Sequence, residues 1–251
     1  MTKFTESAQM DKIISFYCVI PARAGSKRIP NKNIQTVGNK PLISHVIENI
    51  IASNIFDKVF VSTDSEEIAG IATSSGAVVP ELRSKELSDD FTPTRQVIAD
   101  FILRHEELQG ENVVICCIYP FAMLVPPVTI RAAAKLVTKL GVTDEYIVSV
   151  KRYPHPIQKA LLKNSNGRLT AINPVDLEKR TQDLAIHFHD AGQFYFAFSN
   201  TWILDKPILS NSLGYELGKL DGVDIDEVTD LEELRNIYTM KQNGLLIEKS
   251  D

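Results

Sequence analysis

The hydrophobic and polar positions along the chain alternate between short apolar runs and longer amphipathic segments. Between the runs, apolar residues recur at helical spacing, as in 41–51 and 127–140. The runs themselves are rich in β-branched residues and predict buried strands at 13–20, 58–63, 112–119 and 145–151. Strands that alternate with helices indicate βαβ units. We therefore expect an α/β fold with a doubly wound, mostly parallel sheet, and a ligand at the carboxyl ends of its strands.

The alternation breaks in one region, residues 152–190. Within it, Asn-Ser-Asn-Gly at 164–167 has the composition of a tight turn and separates the short segments 158–162 and 168–172. Such a pair of segments around such a turn predicts a β-hairpin. We interpret the region as an arm inserted into the sheet domain.

Composition narrows the classes of function. A length of 251 residues predicts a single domain, 1–251, with a sizeable core. The net charge of -5 and the sequence pI of about 5.6 argue against general nucleic-acid binding. Three cysteines inside apolar runs predict buried free thiols and a cytoplasmic location. The tail 1–12 is polar, and no apolar run reaches membrane-spanning length, so we expect no membrane partner.

The segment Pro21–Asn33 follows the first predicted strand and reads P-A-R-A-G-S-K-R-I-P-N-K-N. Gly25 lets the backbone approach a ligand, and Ser26 with nearby amides can donate hydrogen bonds to phosphate oxygens. Arg23 offers a planar pair of donors and Lys27 a compact charge. The segment predicts a phosphate-binding loop, with a solvated basic turn as the alternative. A single glycine does not match the P-loop or the dinucleotide fingerprint, which argues against a dehydrogenase.

The loop resembles the nucleotide-binding signature of the CMP-sialic acid synthetase family, I-P-A-R-G-G-S-K-x-I-P-x-K-N, from which Ala24 departs. The resemblance implies a Rossmann-like sheet of the nucleotidyltransferase type and a CTP-dependent enzyme, with Arg23 and Lys27 as catalytic groups. An arginine and a serine in the polar loop 82–90 join the site by the same resemblance. The nucleotide-binding residues that it implies are Ala22, Arg23, Gly25, Ser26, Lys27, Lys32, Asn33, Arg83 and Ser88.

Asp64 follows the predicted strand 58–63 and stands three residues before Glu67. This spacing is typical of a capping box at the start of a helix. We therefore expect Asp64 to cap the next helix, with ligand contact as the alternative.

Two acidic residues in Val223–Asp226 indicate a metal site. Alternation along a strand would place Asp224 and Asp226 on one face, with their neighbours packed on the other. Two carboxylates suit Mg²⁺, which also takes waters and substrate phosphates. The alternative is an exposed strand face. The segment resembles the family's D-I-D-T, with Glu227 in place of threonine, and the resemblance implies that Asp224 and Asp226 hold catalytic Mg²⁺.

Two further segments resemble the pseudaminic acid cytidylyltransferase branch of the family. One is the strand that ends at Tyr119, although 121–123 departs from the branch pattern, and the other is H-D-A-G-Q-F-Y-F at 189–196. The sugar-binding residues that the resemblance implies are Tyr119, Arg180, Gln182, His189, Asp190 and Gln193. His187 and His189 share one strand face, but a third metal ligand is missing, so we expect hydrogen bonds or packing there.

The resemblance implies transfer of CMP from CTP to a nonulosonic sugar acid, with pseudaminic acid favoured and pyrophosphate released. In the family, the equivalent arm contacts a second subunit, so we expect a homodimer. The alternatives are a sibling enzyme for sialic, legionaminic or 3-deoxy-octulosonic acid, and a catalytically silent nucleotide-binding or scaffold protein.

Overall fold

The computed structural model describes residues 14–204, 206–210 and 212–245. The polar tail 1–12 and the first residue of the predicted strand 13–20 lie outside the described residues. Among the described helices, none combines the length and the apolar character that crossing a membrane requires.

Each of the four apolar runs that predict a strand contains one in the structure. In chain order the strands are β1 (Ser15–Pro21), β2 (Thr36–Val37), β3 (Lys40–Pro41), β4 (Lys58–Ser62), β5 (Val113–Ile118), β6 (Tyr146–Arg152), β7 (Leu161–Lys163), β8 (Leu169–Ala171), β9 (Phe188–Phe198) and β10 (Ser212–Glu216).

Six of the described strands form one sheet in the order β10-β6-β9-β5-β1-β4. β1 pairs in parallel with β4 and β5, and β6 pairs in parallel with β10. β9 runs antiparallel to both of its neighbours, β5 and β6. The prediction of a mostly parallel α/β sheet is confirmed, with β9 as the strand of opposite direction.

Helices cover both faces of this sheet. They are α1 (Leu42–Ser53), α2 (Glu66–Ser74), α3 (Thr94–Arg104), α4 (Pro127–Leu140), α6 (Ser199–Ile203) and α7 (Val228–Gln242), whereas the short helix α5 (Pro174–Leu177) lies in the region 152–190. One apolar layer joins the sheet to α1, α2, α4 and α7, and the other joins it to α3 and α6. Along β1, Cys18 and Ile20 belong to the first layer and Val19 to the second. Burial on both faces explains why these strands are continuous apolar runs.

The three cysteines are free and buried, as predicted from their apolar surroundings. Cys18 lies on β1 and Cys116 and Cys117 lie on β5. Burial raises the pKa of Cys116 and Cys117 well above the usual value of a thiol. These thiols therefore stay protonated and behave as small core residues.

The predicted arm lies between β6 and β9 and contains a short antiparallel hairpin, β7–β8. The turn closes with a hydrogen bond of 3.0 Å from Gly167 N to Asn164 O. Gly167 has φ 78°, a left-handed conformation that costs glycine little. Leu161 and Leu162 on β7 and Leu169 on β8 are all exposed, so this hairpin has no core of its own within the chain.

Two local predictions are wrong. Residues 223–226 form a loop rather than a strand, and the edge strand in this part of the chain is β10. The predicted alternation survives, because Ile225 is buried and both flanking aspartates are exposed. The N-cap of α2 is Ser65, whose Oγ accepts a hydrogen bond of 3.3 Å from Ile68 N, so Asp64 does not cap that helix.

Candidate active site

A cleft of about 520 Å³ opens at the carboxyl ends of β1 and β5. This is the edge where ligands bind in open α/β sheets. The predicted site residues that line it are Arg23, Ser26, Lys27, Lys32, Asn33, Arg83, Tyr119 and Asp226. Residues from four separate parts of the chain therefore meet in one cavity.

The basic loop, residues 21–33, is fastened to the sheet by its own backbone. Ala22 is fully buried, and its N donates to Ser62 O at 2.9 Å. Asn33 Nδ2 donates to Arg23 O at 2.9 Å and closes the loop on itself. Gly25 is exposed, and the nearest atom to a Cβ added there would be Arg23 Nη1 at 3.9 Å, so the loop leaves space at this point.

Asp64, which follows β4, holds the basic loop beside that strand. Its Oδ1 accepts a hydrogen bond of 2.8 Å from Ala24 N. A carboxylate that accepts from a backbone amide makes a strong, charge-assisted bond. Asp64 therefore positions the basic loop, a role that the sequence spacing to Glu67 did not indicate.

Two cations of the loop share one carboxylate across the cleft. Arg23 Nη1 lies 2.5 Å from Asp90 Oδ1, and Lys27 Nζ lies 2.5 Å from Asp90 Oδ2. Arg23 Nη1 also donates to Asp89 O at 3.2 Å. The bonds from Lys27 and then Arg23 hold the pKa of Asp90 below its usual value. Sequence reasoning missed both aspartates, although they directly follow Ser88 and share the polar loop 82–90 with Arg83.

Arg83 and Ser88 support one another. Arg83 Nε donates to Ser88 Oγ at 3.1 Å, and Ser88 Oγ donates to Ser84 O at 2.8 Å. Arg83 N donates a hydrogen bond to Thr63 O at 2.7 Å, and this bond brings the Arg83 side chain to the cleft at the end of β4. Burial lowers the pKa of Arg83, against the attraction of Asp64, but a guanidinium remains charged at neutral pH. Arg83 lines the cleft, and Ser88 orients it.

Lys32 connects the basic loop with residues 223–226, the acidic segment. Its Nζ donates to Ile225 O at 2.7 Å and lies 4.7 Å from the centre of the Phe121 ring. This is a cation–π contact. Burial lowers the pKa of Lys32, while Asp224 and Asp226 oppose the shift. Phe121, which departs from the family pattern, thus forms a wall of the cleft.

Asp224 and Asp226 lie next to this lysine. Asp226 Oδ1 pairs with Arg28 Nη2 at 2.6 Å. Desolvation, followed by repulsion from Asp226, raises the pKa of Asp224. A cation would relieve that repulsion, and carboxylate oxygens are the ligands that Mg²⁺ prefers. The residues present therefore fit the predicted ion.

In the described part of the chain, no group of three acidic, histidine or cysteine side chains is placed to hold a metal. Asp224 and Asp226 would be two protein ligands, and substrate oxygens and water would complete the coordination. This is the usual arrangement of Mg²⁺ at substrate phosphates.

Asp190 approaches the same acidic segment from β9. Its carboxylate accepts hydrogen bonds from Tyr195 OH at 2.7 Å and from Gly192 N at 2.8 Å. A Cβ added at Gly192 would lie 3.4 Å from Asp224 Oδ2. The part of β9 around Asp190, where the pairing with β6 is irregular, therefore borders the candidate metal site. Tyr119 lines the main cleft, and its OH lies 2.7 Å from Thr94 Oγ1.

The other predicted sugar-binding residues are placed differently. Arg180 and Gln182 are exposed on the arm, outside the main cleft, and Arg180 Nε pairs with Asp183 at 2.9 Å. Gln193 is fully buried, and its Nε2 donates to Ala191 O at 2.8 Å. The amide nitrogen of Gln193 therefore supports β9, and its predicted role in sugar binding stays a prediction.

A second cavity, of about 570 Å³, lies where the base of the arm meets the sheet. His189 and His187 both line it. His187 Nδ1 lies 3.1 Å from Gln158 Nε2 and 3.0 Å from Ala185 O, so the expectation of hydrogen bonding there is confirmed. His189 Nδ1 lies 2.8 Å from Asp190 O, and its ring packs against Tyr153.

The fold and the cleft together define an α/β protein with a cavity lined by several cations at the carboxyl edge of its sheet. Comparison with known proteins narrows this class. The family model described as cytidylyltransferase matches residues 17–243. The chain therefore belongs to the cytidylyltransferase family, and it is an enzyme of that class.

Individual relatives agree with this assignment. The chain is 37% identical over 231 residues to the pseudaminic acid cytidylyltransferase of Campylobacter jejuni, covering 90% of this chain and 97% of that protein. It is 29% identical to a CMP-N,N'-diacetyllegionaminic acid synthase of Legionella pneumophila, over 91% of this chain and 98% of that one. A solved CMP-2-keto-3-deoxy-manno-octonic acid synthetase, complexed with CTP, shares the fold with a TM-score of 0.67 at 16% identity, over 90% of this chain and 99% of that one.

Proposed function

We propose that the protein transfers CMP from CTP to the anomeric hydroxyl of a nonulosonic sugar acid, with pseudaminic acid as the favoured acceptor. The observation that carries this proposal is the cleft itself, in which Arg23, Lys27, Lys32 and Arg83 converge at the carboxyl edge of the sheet. The similarity to the Campylobacter enzyme, which extends over nearly its whole length, supports the choice of acceptor.

The reaction forms one bond and breaks one bond at phosphorus. The anomeric oxygen attacks the α-phosphorus of CTP, the bond from that phosphorus to the bridging oxygen breaks, and pyrophosphate leaves with the electron pair. The proton of the anomeric hydroxyl passes to solvent water. Arg23 and Lys27 would hold the triphosphate and stabilise the charge that develops on the leaving group. Alignment and charge neutralisation are therefore the main tasks of the protein.

Asp224 and Asp226 would hold Mg²⁺ beside these phosphates. When bound, the ion supplies positive charge at the reacting oxygens. Lys32, which donates to the backbone between the two aspartates, would fix the position of the acidic segment relative to the phosphate loop. Asn33 and Arg83 would contact the nucleotide from the walls of the cleft.

The second cavity is our candidate for part of the sugar-acid site. Arg152 and Lys219 line it together with His189, and they offer positive charge to the carboxylate of the acceptor. Thr181, which lies between Arg180 and Gln182 in the sequence, also lines it. The cavity adjoins Asp190, and hence the acidic segment, through His189. The acceptor would therefore reach the phosphates from the side of β9.

We place the active protein in the cytoplasm as a homodimer. Three free buried cysteines suit a reducing compartment. Leu161, Leu162, Leu169 and Ile172 are exposed on the arm, and a second subunit would cover them. The product, a CMP-activated sugar acid, is a donor for glycan biosynthesis by glycosyl transfer.

One experiment tests the proposal. The purified protein is incubated with CTP, Mg²⁺ and a panel of pseudaminic, legionaminic, sialic and 3-deoxy-octulosonic acids, and pyrophosphate release is followed. We expect turnover with CTP in preference to ATP, GTP and UTP, and the highest kcat/KM with pseudaminic acid. A different preferred acid would identify a sibling enzyme. CTP binding without pyrophosphate release in the presence of any of the acids would identify a catalytically silent homologue.

A further inference from the structure

Asp90 occupies the two cations that the candidate site would offer to a triphosphate. Its two carboxylate oxygens lie 2.5 Å from Arg23 Nη1 and 2.5 Å from Lys27 Nζ. Two negative oxygens on one atom, each facing one cation, resemble two oxygens of a phosphate group in geometry and charge. Asp90 therefore makes the contacts that the phosphate loop would make with its ligand.

The loop around Asp90 is built to hold the carboxylate in this place. Asp89 Oδ1 accepts from Phe91 N at 2.9 Å and from Thr92 N at 2.6 Å, which forms a tight turn. Asp89 O adds a further contact to Arg23 at 3.2 Å. The turn precedes α3 and forms a wall of the cleft. The carboxylate of Asp90 thus faces the basic loop from the opposite wall.

We propose that Asp90 is an internal competitor for the phosphate site. Its carboxylate pairs with Arg23 and Lys27 in the free enzyme and pairs with them again when pyrophosphate leaves. This inference rests on the proposed function, because it takes these two residues as the triphosphate ligands. A carboxylate and a phosphate cannot both occupy the two cations without strong repulsion. CTP must therefore displace Asp90 in order to bind, and Asp90 can displace pyrophosphate after the reaction.

The strength of the ion pairs suits this exchange. The Lys27 side chain is 80% exposed and that of Asp90 is 27% exposed. Ion pairs in contact with solvent contribute little, so a multiply charged ligand that makes several contacts can replace them. The competitor lowers the affinity for both CTP and pyrophosphate. Pyrophosphate offers only phosphate groups for binding, whereas CTP also offers its nucleoside. We therefore expect the effect on affinity to be larger for pyrophosphate than for CTP.

The test measures binding of inorganic pyrophosphate by calorimetry at low ionic strength, with and without Mg²⁺. For Asp90→Asn we expect affinity to rise roughly five- to tenfold, since two partly exposed ion pairs no longer compete. Asp100→Asn is the matched control, because Asp100 pairs with Arg104 on α3 and its loss changes the net charge equally. That variant should bind pyrophosphate as the wild type does. Asp90→Glu keeps the charge and should stay within about twofold of the wild type.

Turnover supplies a second readout that a merely structural role would not move. Asp90→Asn should show a lower KM for CTP and stronger product inhibition by added pyrophosphate, with kcat reduced where release limits the rate. Unchanged or weaker pyrophosphate binding in Asp90→Asn, with thermal unfolding like that of the wild type, overturns the inference. So does the absence of pyrophosphate binding in both proteins.

The two proposals can fail separately. Equal pyrophosphate affinities in wild type and Asp90→Asn, together with normal CMP transfer, contradict the competitor alone. Tighter pyrophosphate binding in Asp90→Asn, without CMP transfer to any acid, contradicts the proposed function alone.

Discussion

Single residues in the cleft and beside it carry charges that have more than one partner. Asp226 pairs with Arg28 in this structure and is a proposed ligand of Mg²⁺. Asp224 bears a carboxylate that is repelled by Asp226 and attracted by Lys32. Substitutions at these two aspartates therefore separate a metal-binding role from a structural one, because the two roles have different consequences for activity and stability.

We expect Asp226→Asn to lower kcat about a hundredfold or more, which corresponds to about 2.7 kcal/mol of activation free energy. The KM for CTP should change far less, because Arg23 and Lys27 do not depend on the carboxylate. Excess Mg²⁺ should recover part of the loss by mass action. The measurement is kcat against Mg²⁺ concentration, with Glu232→Gln on the exposed surface of α7 as the control. Identical Mg²⁺ curves for Asp226→Asn and wild type would contradict the metal site.

We expect Asp224→Asn to raise the thermal stability of the Mg²⁺-free protein at pH 7. The pKa of Asp224 is raised in the folded state, so its charged form destabilises the fold. This cost is absent at pH values below the unfolded pKa and develops as pH rises through the folded pKa. Because the side chain is exposed, the gain should stay below about 1 kcal/mol.

The measurement for Asp224→Asn is thermal unfolding against pH without Mg²⁺. The difference from the wild type should disappear near pH 3, where the carboxyl group is protonated in both states. A variant that is less stable than the wild type at pH 7 would show that Asp224 supports the fold.

At the scale of helices and strands, the sequence predicts best where one environment extends over a whole element. β1, β4, β5 and β6 are buried, so their apolar runs mark them clearly, and α4 begins and ends at the expected residues. β10 carries no such signal, because it is a short edge strand with exposed positions. Residues 223–226 alternate as a strand does, but no neighbouring strand pairs with them, and alternation alone does not reveal pairing.

The site follows the same logic. The basic loop is contiguous in sequence, so its cluster of cations is visible without a structure. Asp64 and Asp90 act on that loop from 40 and more than 60 residues away, and only the fold brings them together. The arm residues Arg180 and Gln182 lie outside the cleft of their own chain. Their predicted role therefore stays a prediction that depends on a second subunit.

Gly192, in the irregular part of β9, gives an element-scale test of how this strand positions the acidic segment. Gly192 has φ 61°, and a Cβ there would approach Asp224 Oδ2 to 3.4 Å. We expect Gly192→Ala to destabilise the protein by about 1 kcal/mol through backbone strain. Gly70→Ala is the control, since Gly70 lies in α2 and an added Cβ meets nothing within 4 Å. It should stabilise the protein by about 0.5–1 kcal/mol.

Denaturant unfolding measures both glycine variants. Opposite signs for the two changes in unfolding free energy are the expected result. A neutral Gly192→Ala would show that this part of β9 tolerates a side chain beside Asp224.

At the scale of the whole molecule, the arm is the part whose stability the chain alone does not explain. Its hairpin has three residues in each strand, and exposed leucines lie on both. A two-stranded hairpin is marginal in water without a partner surface. The proposed homodimer supplies that surface, and it would also bring the arm residues to the neighbouring subunit.

We expect light scattering to give twice the monomer mass of 28.0 kDa at micromolar concentration. Leu162→Asp should shift the protein towards the monomer, because it introduces a charge into the proposed interface. Val142→Asp is the control, since Val142 is equally exposed but lies in the loop between α4 and β6. A wild type that is monomeric across this range contradicts the dimer.

The position of β9 has a consequence for how the chain folds. β5 and β6 do not pair with each other, so β9 alone joins the group β4, β1 and β5 to the group β6 and β10 within the described sheet. During synthesis, the first group can pair early, but it presents an open strand edge until residue 198 leaves the ribosome. Such edges are prone to aggregation while they stay open. Pairing of β5 with β9 joins residues as distant as Val114 and Phe198, so we expect this step to limit the folding rate. Substitutions in β9 should therefore slow folding more than equally destabilising substitutions in α7.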